Sequence, residues 1–403
     1  MIDFYELLSL IKGIISGSVA GHKVEAFPHT NIDKLSFDIT PTVTTLATGE
    51  MRWNETEICF DVGEPNGGSL QIGQESRLYA KNKEGAQINE GQIVYIYGAA
   101  GANVEVKLAN ATEYAKSMCT IAVATENVAN NATGRFTTMG FVRTLNTNGW
   151  TEGSFLYLSA TPGMMTNVAP VYPNDKIKVG VVTRENNTNG EVYVRIMPEV
   201  RKFGDVINGN YSAFEDDGTL IMNGNATVYD DMLGSLIGSK LESPSSHITQ
   251  DVAEGTVVYA SNSVLADYIV VGTQMSHSWK LGSDIYPHLH WMQAQASVPN
   301  WMIQYRWQRN GQPKTTAWTS VKLNTNAFTY TSGTLNQISG FPVITPPANY
   351  SISDVIQVRV IRDTNNASGL FTGTDLYTGS VHATSFDYHY LKGKLGSRQE
   401  YID

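Results

Sequence analysis

Two histidines, His288 and His290, have the residue type and the spacing that suit metal binding. They are two positions apart in an expected β-strand, so both imidazoles lie on one face, with Cα atoms about 6.6–7 Å apart. Beside a three-fold axis, three copies would offer six imidazoles to one ion, a set that suits iron or nickel better than four-coordinate zinc. A site within one chain, using Asp387 and His389, is an alternative. The simpler interpretation is a pair of hydrogen-bonded core or interface histidines, so we expect no cofactor unless this site holds a metal ion.

Paired carboxylates are the next candidates, because glycoside hydrolysis needs two of them about 5–9.5 Å apart in a groove. The densest acidic segments are Glu215-Asp216-Asp217-Gly218 and Asp230-Asp231. Nothing in the sequence places either pair in a groove, and Asp-Gly is typical of a turn, so turns are favoured over calcium ligation or catalysis. The chain also has no nucleophile elbow, phosphate-binding loop or zinc-protease motif. We therefore predict that it is not an enzyme.

Aromatic side chains are the last group of candidate binding residues, and five of the seven tryptophans lie between residues 279 and 318. Most of them are expected in a core, because alternate positions of a sandwich strand face inward. Trp301 and Trp318 stand near expected loop borders, where an indole can stack on a sugar ring. We predict these two as contacts for a surface ligand, with partial burial beneath a loop as the alternative.

Composition excludes several classes of protein. The chain has 403 residues, enough for two or three domains, and its 16% of charged residues is below the usual level of about 25%. A net charge of −10 without a run of Lys or Arg makes it a poor nucleic-acid binder, because phosphate contacts need clustered cations. Cys59 and Cys119 form neither a disulfide framework nor a zinc pattern, and we expect two ordinary buried thiols.

The apolar N-terminal segment predicts a helix and not a membrane anchor. Phe4, Leu7, Leu8, Ile11 and Ile15 recur at helical spacing, which indicates an amphipathic helix of about four turns. The segment begins with acidic residues and is too short and interrupted to cross about 30 Å of hydrocarbon, so neither a signal peptide nor membrane insertion is expected. A helix this short must pack on something, either its own domain or a partner. We predict that these five side chains form a docking element.

Beyond residue 20, short strand-sized runs separated by turn residues replace the helical signal. Residues 176–182 and 191–197, for example, flank a short loop ending in Asn-Gly and predict a β-hairpin. The predicted fold class is all-β: a short N-terminal helix and extended arm, then β-barrel or sandwich modules and a C-terminal jelly-roll-like antiparallel sandwich. The expected domains are a docking helix and arm at 1–45, a β-rich module at 46–200 (divisible into 46–110 and 111–200), a connector at 201–245 and the sandwich at 246–403.

The final strand of this sandwich is expected at residues 380–390. Strict alternation divides its side chains between two faces. One face would carry Val381, Ala383 and Ser385, and the other His382, Thr384 and Phe386.

Several segments resemble those of tailed-phage structural proteins. Residues 69–75, 79–83, 97–101, 140–147 and 156–159 are similar to a module common in these proteins, and residues 210–231 resemble a connector of phage fibres. The region from His288-Leu289-His290-Trp291 to the ending Gly396-Ser397-Arg398-Gln399-Glu400 is similar to a terminal β-domain in the same proteins. The order of these segments along one chain resembles a head fibre or tail fibre.

The resemblance implies a homotrimeric, all-β projection on the virion surface, made in the host cytoplasm. Its expected partners are copies of itself, capsid or tail proteins bound through the N-terminus, and a host surface glycan or protein. Neither nucleic acid nor membrane insertion is expected. The alternatives are a tailspike enzyme that cleaves polysaccharide and a decoration protein that stabilises the capsid.

Deleting residues 1–45 should leave the remaining chain folded but unable to join particles, because the predicted docking helix and arm lie there. Circular dichroism would compare the fold with that of the full chain, and immunoblots of purified particles would measure incorporation. A truncated chain that is incorporated as well as the full chain would contradict the docking role.

Overall fold

The computed structural model describes residues 36–237, 247–324 and 336–397. Within these ranges the chain is nearly all β, which confirms the predicted fold class. The residues predicted to form the docking element, Phe4, Leu7, Leu8, Ile11 and Ile15, lie outside them. None of the described helices is long and apolar enough to cross a membrane. The chain divides into two compact units, Met1–Ser76 and Arg77–Asp403, and each is described by itself.

The first unit contains a three-stranded antiparallel sheet in its described part. Its strands are β1 (Met51–Asn54), β2 (Cys59–Gly63) and β3 (Ser69–Ile72). Asp61, buried on the central strand, accepts hydrogen bonds from Arg52 and Asn54. Cys59 is buried, as expected, but Cys119 in the second unit is exposed because it lies in a turn. The prediction of a buried thiol is therefore wrong for Cys119.

Near the start of the second unit, a nine-stranded sheet can be traced through the described residues. Its strands are β4 (Ser76–Asn82), β5 (Ile93–Ala100), β6 (Asn103–Leu108), β7 (Thr120–Ala124), β8 (Thr133–Leu145), β9 (Phe155–Leu158), β10 (Met165–Thr166), β11 (Lys176–Arg184) and β12 (Gly190–Glu199), with one short helix, α1 (Tyr114–Ser117). Strands β4, β6, β5, β7 and β8 pair in a closed ring, and β12, β11, β9 and β10 extend the sheet from β8. The pairing of β11 with β12 confirms the predicted hairpin.

Four short strands follow within the segment predicted as a connector. They are β13 (Lys202–Asp205), β14 (Asn210–Phe214), β15 (Leu220–Met222) and β16 (Val228–Gly234). The first three form a small antiparallel sheet. β16 instead pairs with a strand near the C-terminus, between residues 386 and 392. The predicted connector segment therefore supplies a strand to the C-terminal sandwich.

The C-terminal sandwich consists of two antiparallel sheets in its described part. Its further strands are β17 (Ile248–Asp251), β18 (Thr256–Tyr259), β19 (Tyr268–Gln274), β20 (Ile285–Met292), β21 (Trp301–Gln308), β22 (Thr319–Lys322), β23 (Asn336–Gly340), β24 (Val355–Arg362) and β25 (Val381–Lys392). One sheet has the order β17-β18-β25-β20-β23, with β16 also on β25, and the other has the order β19-β24-β21-β22. β18 thus pairs with β25, β19 with β24, β20 with β23 and β21 with β22. This nested order is that of a jelly roll, as predicted.

The core lies between the two sheets and is rich in aromatic side chains. Burial alternates strictly along β20, where every second residue from Ile285 to Trp291 is buried and the residues between them face outward. The fully buried tryptophans are Trp279, Trp291 and Trp301. Each buried aromatic side chain removes about 150–250 Å² from water, which contributes about 4–6 kcal/mol before conformational entropy is subtracted.

A buried arginine, Arg362, ties together the chain segments at one end of the sandwich. Its side chain is fully buried, and its Nε donates to Asp375 Oδ2 at 2.8 Å. Its Nη1 donates to the backbone carbonyls of Tyr259, Ala260 and Gly379, and its Nη2 to that of Tyr377. Asp375 is nearly as buried as its partner, so each charge depends on the other for compensation.

Replacing Arg362 with methionine keeps an apolar stem but leaves Asp375 buried without its cation. We expect the free energy of unfolding to fall by about 3–5 kcal/mol, as measured by urea denaturation of the full chain. The double variant Arg362→Met/Asp375→Asn should recover part of this loss, and Lys314→Met at an exposed position should change stability by no more than about 0.5 kcal/mol. A loss for Arg362→Met no larger than that for Lys314→Met would contradict the role of this ion pair.

Candidate functional site

Strand β25 carries one extra residue relative to β20, and this bulge decides which side chains reach the outer face of the sheet. His290 lies opposite Ser385, but Trp291 lies opposite Ala383, so Thr384 has no partner on β20. An extra residue of this kind breaks the two-residue alternation of a strand. As a result, the core receives Val381 and Ala383 before the bulge, and Phe386, Tyr388 and Tyr390 after it.

Two imidazoles and a carboxylate converge on the outer face of this sheet. One ligand atom from each of His288, Asp387 and His389 lies within 4.8 Å of the other two. His288 stands directly opposite Asp387 on the neighbouring strand, and the rings of His288 and His389 have centroids 4.0 Å apart. We call these three residues the His/Asp cluster.

Two further residues contact the His/Asp cluster. The Nε2 atom of His290 is 3.2 Å from Asp387 Oδ1, and the Nε2 atom of His389 is 3.0 Å from Asp231 Oδ1. Asp231 lies in β16, directly opposite His389 on β25. The prediction that Asp230-Asp231 forms a turn is therefore wrong, because the pairing with β25 draws both residues into a strand. Asp230 is bound instead by Lys392.

The local environment favours an uncharged His288. Burial lowers the pKa of His288 below its ordinary value, and the nearby His389 lowers it further. Two atoms of the cluster, His288 Nδ1 and Asp387 Oδ1, are buried without a hydrogen-bond partner among the described residues. The 3.2 Å contact from His290 therefore lacks the geometry of a hydrogen bond. A buried polar group left unsatisfied costs about 1–3 kcal/mol.

The predicted pair His288 and His290 does share one face of a strand, as the alternating burial of β20 confirms. The two histidines nevertheless have different surroundings, because His288 belongs to the cluster whereas His290 reaches it through Asp387. The residues of the alternative site within one chain, Asp387 and His389, do lie beside His288, and metal binding by them stays a prediction. An arrangement of six imidazoles about a three-fold axis stays a prediction. Sequence reasoning missed Asp231 as a neighbour, since nothing local indicates that β16 pairs with β25.

The outer face of the other sheet carries a second polar surface. Arg306 on β21 and Arg359 on β24 place their guanidinium carbons 4.3 and 4.2 Å from the centroid of the Trp318 ring. Gln357 accepts a hydrogen bond of 2.8 Å from Arg306 Nε, and Gln304 accepts one of 3.1 Å from Arg359 Nη1. Within the described ranges, neither guanidinium has an ion-pair partner. We call these five residues the Arg/Trp surface.

Contacts within the chain hold the two guanidinium groups of the Arg/Trp surface in place. Stacking on an aromatic ring and hydrogen bonds to amide oxygens hold both guanidinium groups without neutralising them. An open groove of about 470 Å³ adjoins Arg306 and is also lined by Tyr305, Arg309, Thr315 and Pro347. Arginine binds carboxylates and other planar oxyanions through paired N–H groups.

The two tryptophans predicted as ligand contacts have different environments. Trp301 is fully buried, with ring centroids 5.0 Å from Tyr259 and 6.2 Å from Trp291. The prediction that Trp301 contacts a ligand is wrong, because it begins a core strand and has no free face. Trp318 is half-buried on the outer face, and its role in ligand binding stays a prediction.

Comparisons with known proteins do not assign this chain to a family. No family model and no curated protein matches it. Among solved structures, a xylan-binding module is similar over 40% of this chain and 97% of its own length, with 10% identity and a TM-score of 0.24. An exo-beta-1,3-galactanase from Phanerochaete chrysosporium in complex with galactose is similar over 82% of this chain and 74% of its own, with 12% identity and a TM-score of 0.18. At these TM-scores neither similarity carries an argument about function.

Deleting Thr384 should prevent stable folding of the sandwich, because the loss of one residue sends either the cluster or the buried aromatic residues of β25 to the wrong face. Thr384→Ala keeps the residue count and should change stability by no more than about 1 kcal/mol. Thermal denaturation followed by near-ultraviolet circular dichroism would compare the two variants. Equal melting temperatures for the deletion and the substitution would show that the bulge does not determine the faces of β25.

Proposed function

We propose that this chain is a structural protein of a tailed-phage particle, a homotrimeric head or tail fibre or spike that is exposed on the virion and contacts the host surface. The ordered resemblances along the sequence support this proposal. The succession of β modules in the described ranges suits a projection in which successive parts have different tasks. The chain would be made in the host cytoplasm and would join the particle through its N-terminus, by contacts with capsid or tail proteins.

The observation that carries the binding role is the Arg/Trp surface. The whole chain has a net charge of −10, yet this face presents two guanidinium groups without carboxylate partners among the described residues. The favoured ligand is therefore a host glycan with acidic groups, whose carboxylates can pair with Arg306 and Arg359. Sugar rings also pack well against aromatic side chains such as Trp318. A protein ligand with exposed acidic side chains would use the same contacts.

Repetition would make a weak contact of this kind effective. In a trimer, each fibre would present three copies of the Arg/Trp surface, and each particle would carry many fibres. Linking several weak sites can raise the apparent affinity by about 10²–10⁴ without any new contact, provided that the geometry allows simultaneous binding. No chemical step is required of such a protein.

The enzyme alternative, a tailspike that cleaves polysaccharide, would need a carboxylate that can act as a general acid. Asp216 receives hydrogen bonds of 2.6 Å from both the backbone N–H of Tyr172 and Arg201 Nη1, and the former is the main cause of its lowered pKa. Asp217 Oδ1 accepts the backbone N–H of Thr219 across the turn. A carboxylate whose pKa is lowered, as that of Asp216 is, is a poor proton donor at neutral pH. These contacts argue against Asp216 as the general acid of such an enzyme.

Four measurements separate these proposals. Size-exclusion chromatography with light scattering should give a trimer, and a clean monomer at micromolar concentration would count against a fibre. A label on this chain, imaged on the virion, should mark a projection. Release of reducing ends from host polysaccharide, abolished by changing one carboxylate, would favour the enzyme. Normal adsorption by particles that lack the protein but have lost stability would favour a decoration protein.

The double variant Arg306→Gln/Arg359→Gln should bind host cells at least tenfold more weakly than the wild-type chain, because it removes both cations of the Arg/Trp surface. The exposed Arg195→Gln on β12 is the control for the loss of one positive charge elsewhere and should bind normally. Binding of fluorescently labelled protein to host cells would be titrated at two salt concentrations. Equal binding by the double variant and the control would show that another surface contacts the host.

A further inference from the structure

We propose that the His/Asp cluster binds one divalent transition-metal ion per chain, with His288, Asp387 and His389 as ligands. This inference is independent of the virion role proposed above. It rests on the convergence of these three side chains, on the unsatisfied buried atoms among them and on the residues that hold them.

The convergence results from strand pairing. His288 and Asp387 are directly opposite each other on β20 and β25, and His389 is the next outward residue of β25. Their ligand atoms already lie within 4.8 Å of one another. Bonds of about 2.0–2.2 Å to a zinc ion would place neighbouring ligand atoms about 3.3 Å apart. Side-chain rotations that move these atoms by about an ångström would therefore bring them to bonding distance of one ion.

The unsatisfied atoms point to a missing partner at this position. His288 Nδ1 and Asp387 Oδ1 are both buried, and neither has a hydrogen-bond partner in the described part of the chain. More than about 90% of buried polar groups in native proteins are satisfied, so two exceptions within one cluster need an explanation. A bound cation would interact favourably with both an imidazole nitrogen and a carboxylate oxygen, whereas a hydrophobic ligand would satisfy neither.

The ligand set selects the class of ion. Two imidazoles and one carboxylate suit zinc, iron, nickel or manganese, whereas calcium and magnesium prefer sites made of oxygen atoms. A metal binds the neutral form of imidazole. Three protein ligands leave at least one coordination position for water or for a group from a neighbouring molecule.

The surrounding residues support the ligands as they do in known metal sites. The Asp231 carboxylate, 3.0 Å from His389 Nε2, orients that ring, and His290 approaches the Asp387 carboxylate at 3.2 Å. Carboxylates that contact a ligating histidine fix its orientation and raise its basicity. The five side chains come from three adjacent strands of one sheet, which limits their movement.

Zinc binding to the purified full chain, first stripped with a chelator, tests this proposal. Isothermal titration should show one zinc ion per chain, and saturating zinc should raise the melting temperature. His288→Ala, Asp387→Asn and His389→Ala should each weaken zinc binding at least 100-fold, and Asp231→Asn about 10–100-fold. His382→Ala, on the same strand but bonded to Thr256, is the matched control and should bind zinc normally.

Cobalt provides a second readout that does not depend on stability. Cobalt bound at the cluster should give visible absorption bands that His389→Ala abolishes and His382→Ala retains, with circular dichroism confirming that each variant is folded. The proposal would be overturned by a zinc Kd weaker than about 1 mM, by equal zinc affinity in the His382→Ala and Asp387→Asn variants, or by a stoichiometry of one ion per three chains. The last outcome would indicate a site on a three-fold axis instead.

Discussion

The position of strand β25 is the constraint on which the C-terminal sandwich depends. β25 pairs with β16 and β18 along one edge and with β20 along the other, so its register sets the positions of three strands together. The extra residue at Thr384 lets one continuous strand keep Val381 and Ala383 in the core and then deliver Phe386, Tyr388 and Tyr390 to the same core. The same shift leaves Asp387 and His389 on the outer face, beside His288. Core packing and the candidate metal site are therefore consequences of one inserted residue.

The sequence predicted what depends on local pattern. The final strand was expected at 380–390 and is Val381–Lys392, and the two-sheet sandwich and the 176–197 hairpin are confirmed. The prediction that Phe386 faces away from Val381 is wrong, because it assumed strict alternation, whereas the extra residue at Thr384 breaks the two-residue period where β25 pairs with β20. The site was predicted only in part for the same reason. His288 and His290 are two apart on one strand, whereas the contact of Asp231 with His389 depends on a pairing between distant parts of the chain.

The two outer faces of the sandwich have opposite chemical character. The face of the six-stranded sheet gathers histidines and aspartates, and the face of the four-stranded sheet gathers arginines, glutamines and Trp318. Polar networks that are half-buried gain little net stability, since desolvation offsets most of the hydrogen-bond energy. Ordinary solvated side chains would serve the fold equally well on both faces. Two such networks on one sandwich are therefore consistent with the binding roles proposed above.

Two arginines on the same strand show how the fold separates structural from binding roles. Arg362, at the end of β24, is fully buried with Asp375 and donates to four backbone carbonyls, so its charge and its N–H groups are satisfied within the chain. Arg359 stacks on Trp318 and Tyr268 and donates to Gln304, but its charge has no carboxylate partner among the described residues. A neutral amide can orient a guanidinium without competing strongly with an incoming anion, whereas a carboxylate at the same distance would have to be displaced. Glutamine beside Arg359 thus leaves that guanidinium without a neutralising partner, as the proposed ligand role requires, whereas aspartate beside Arg362 ties that guanidinium to the fold.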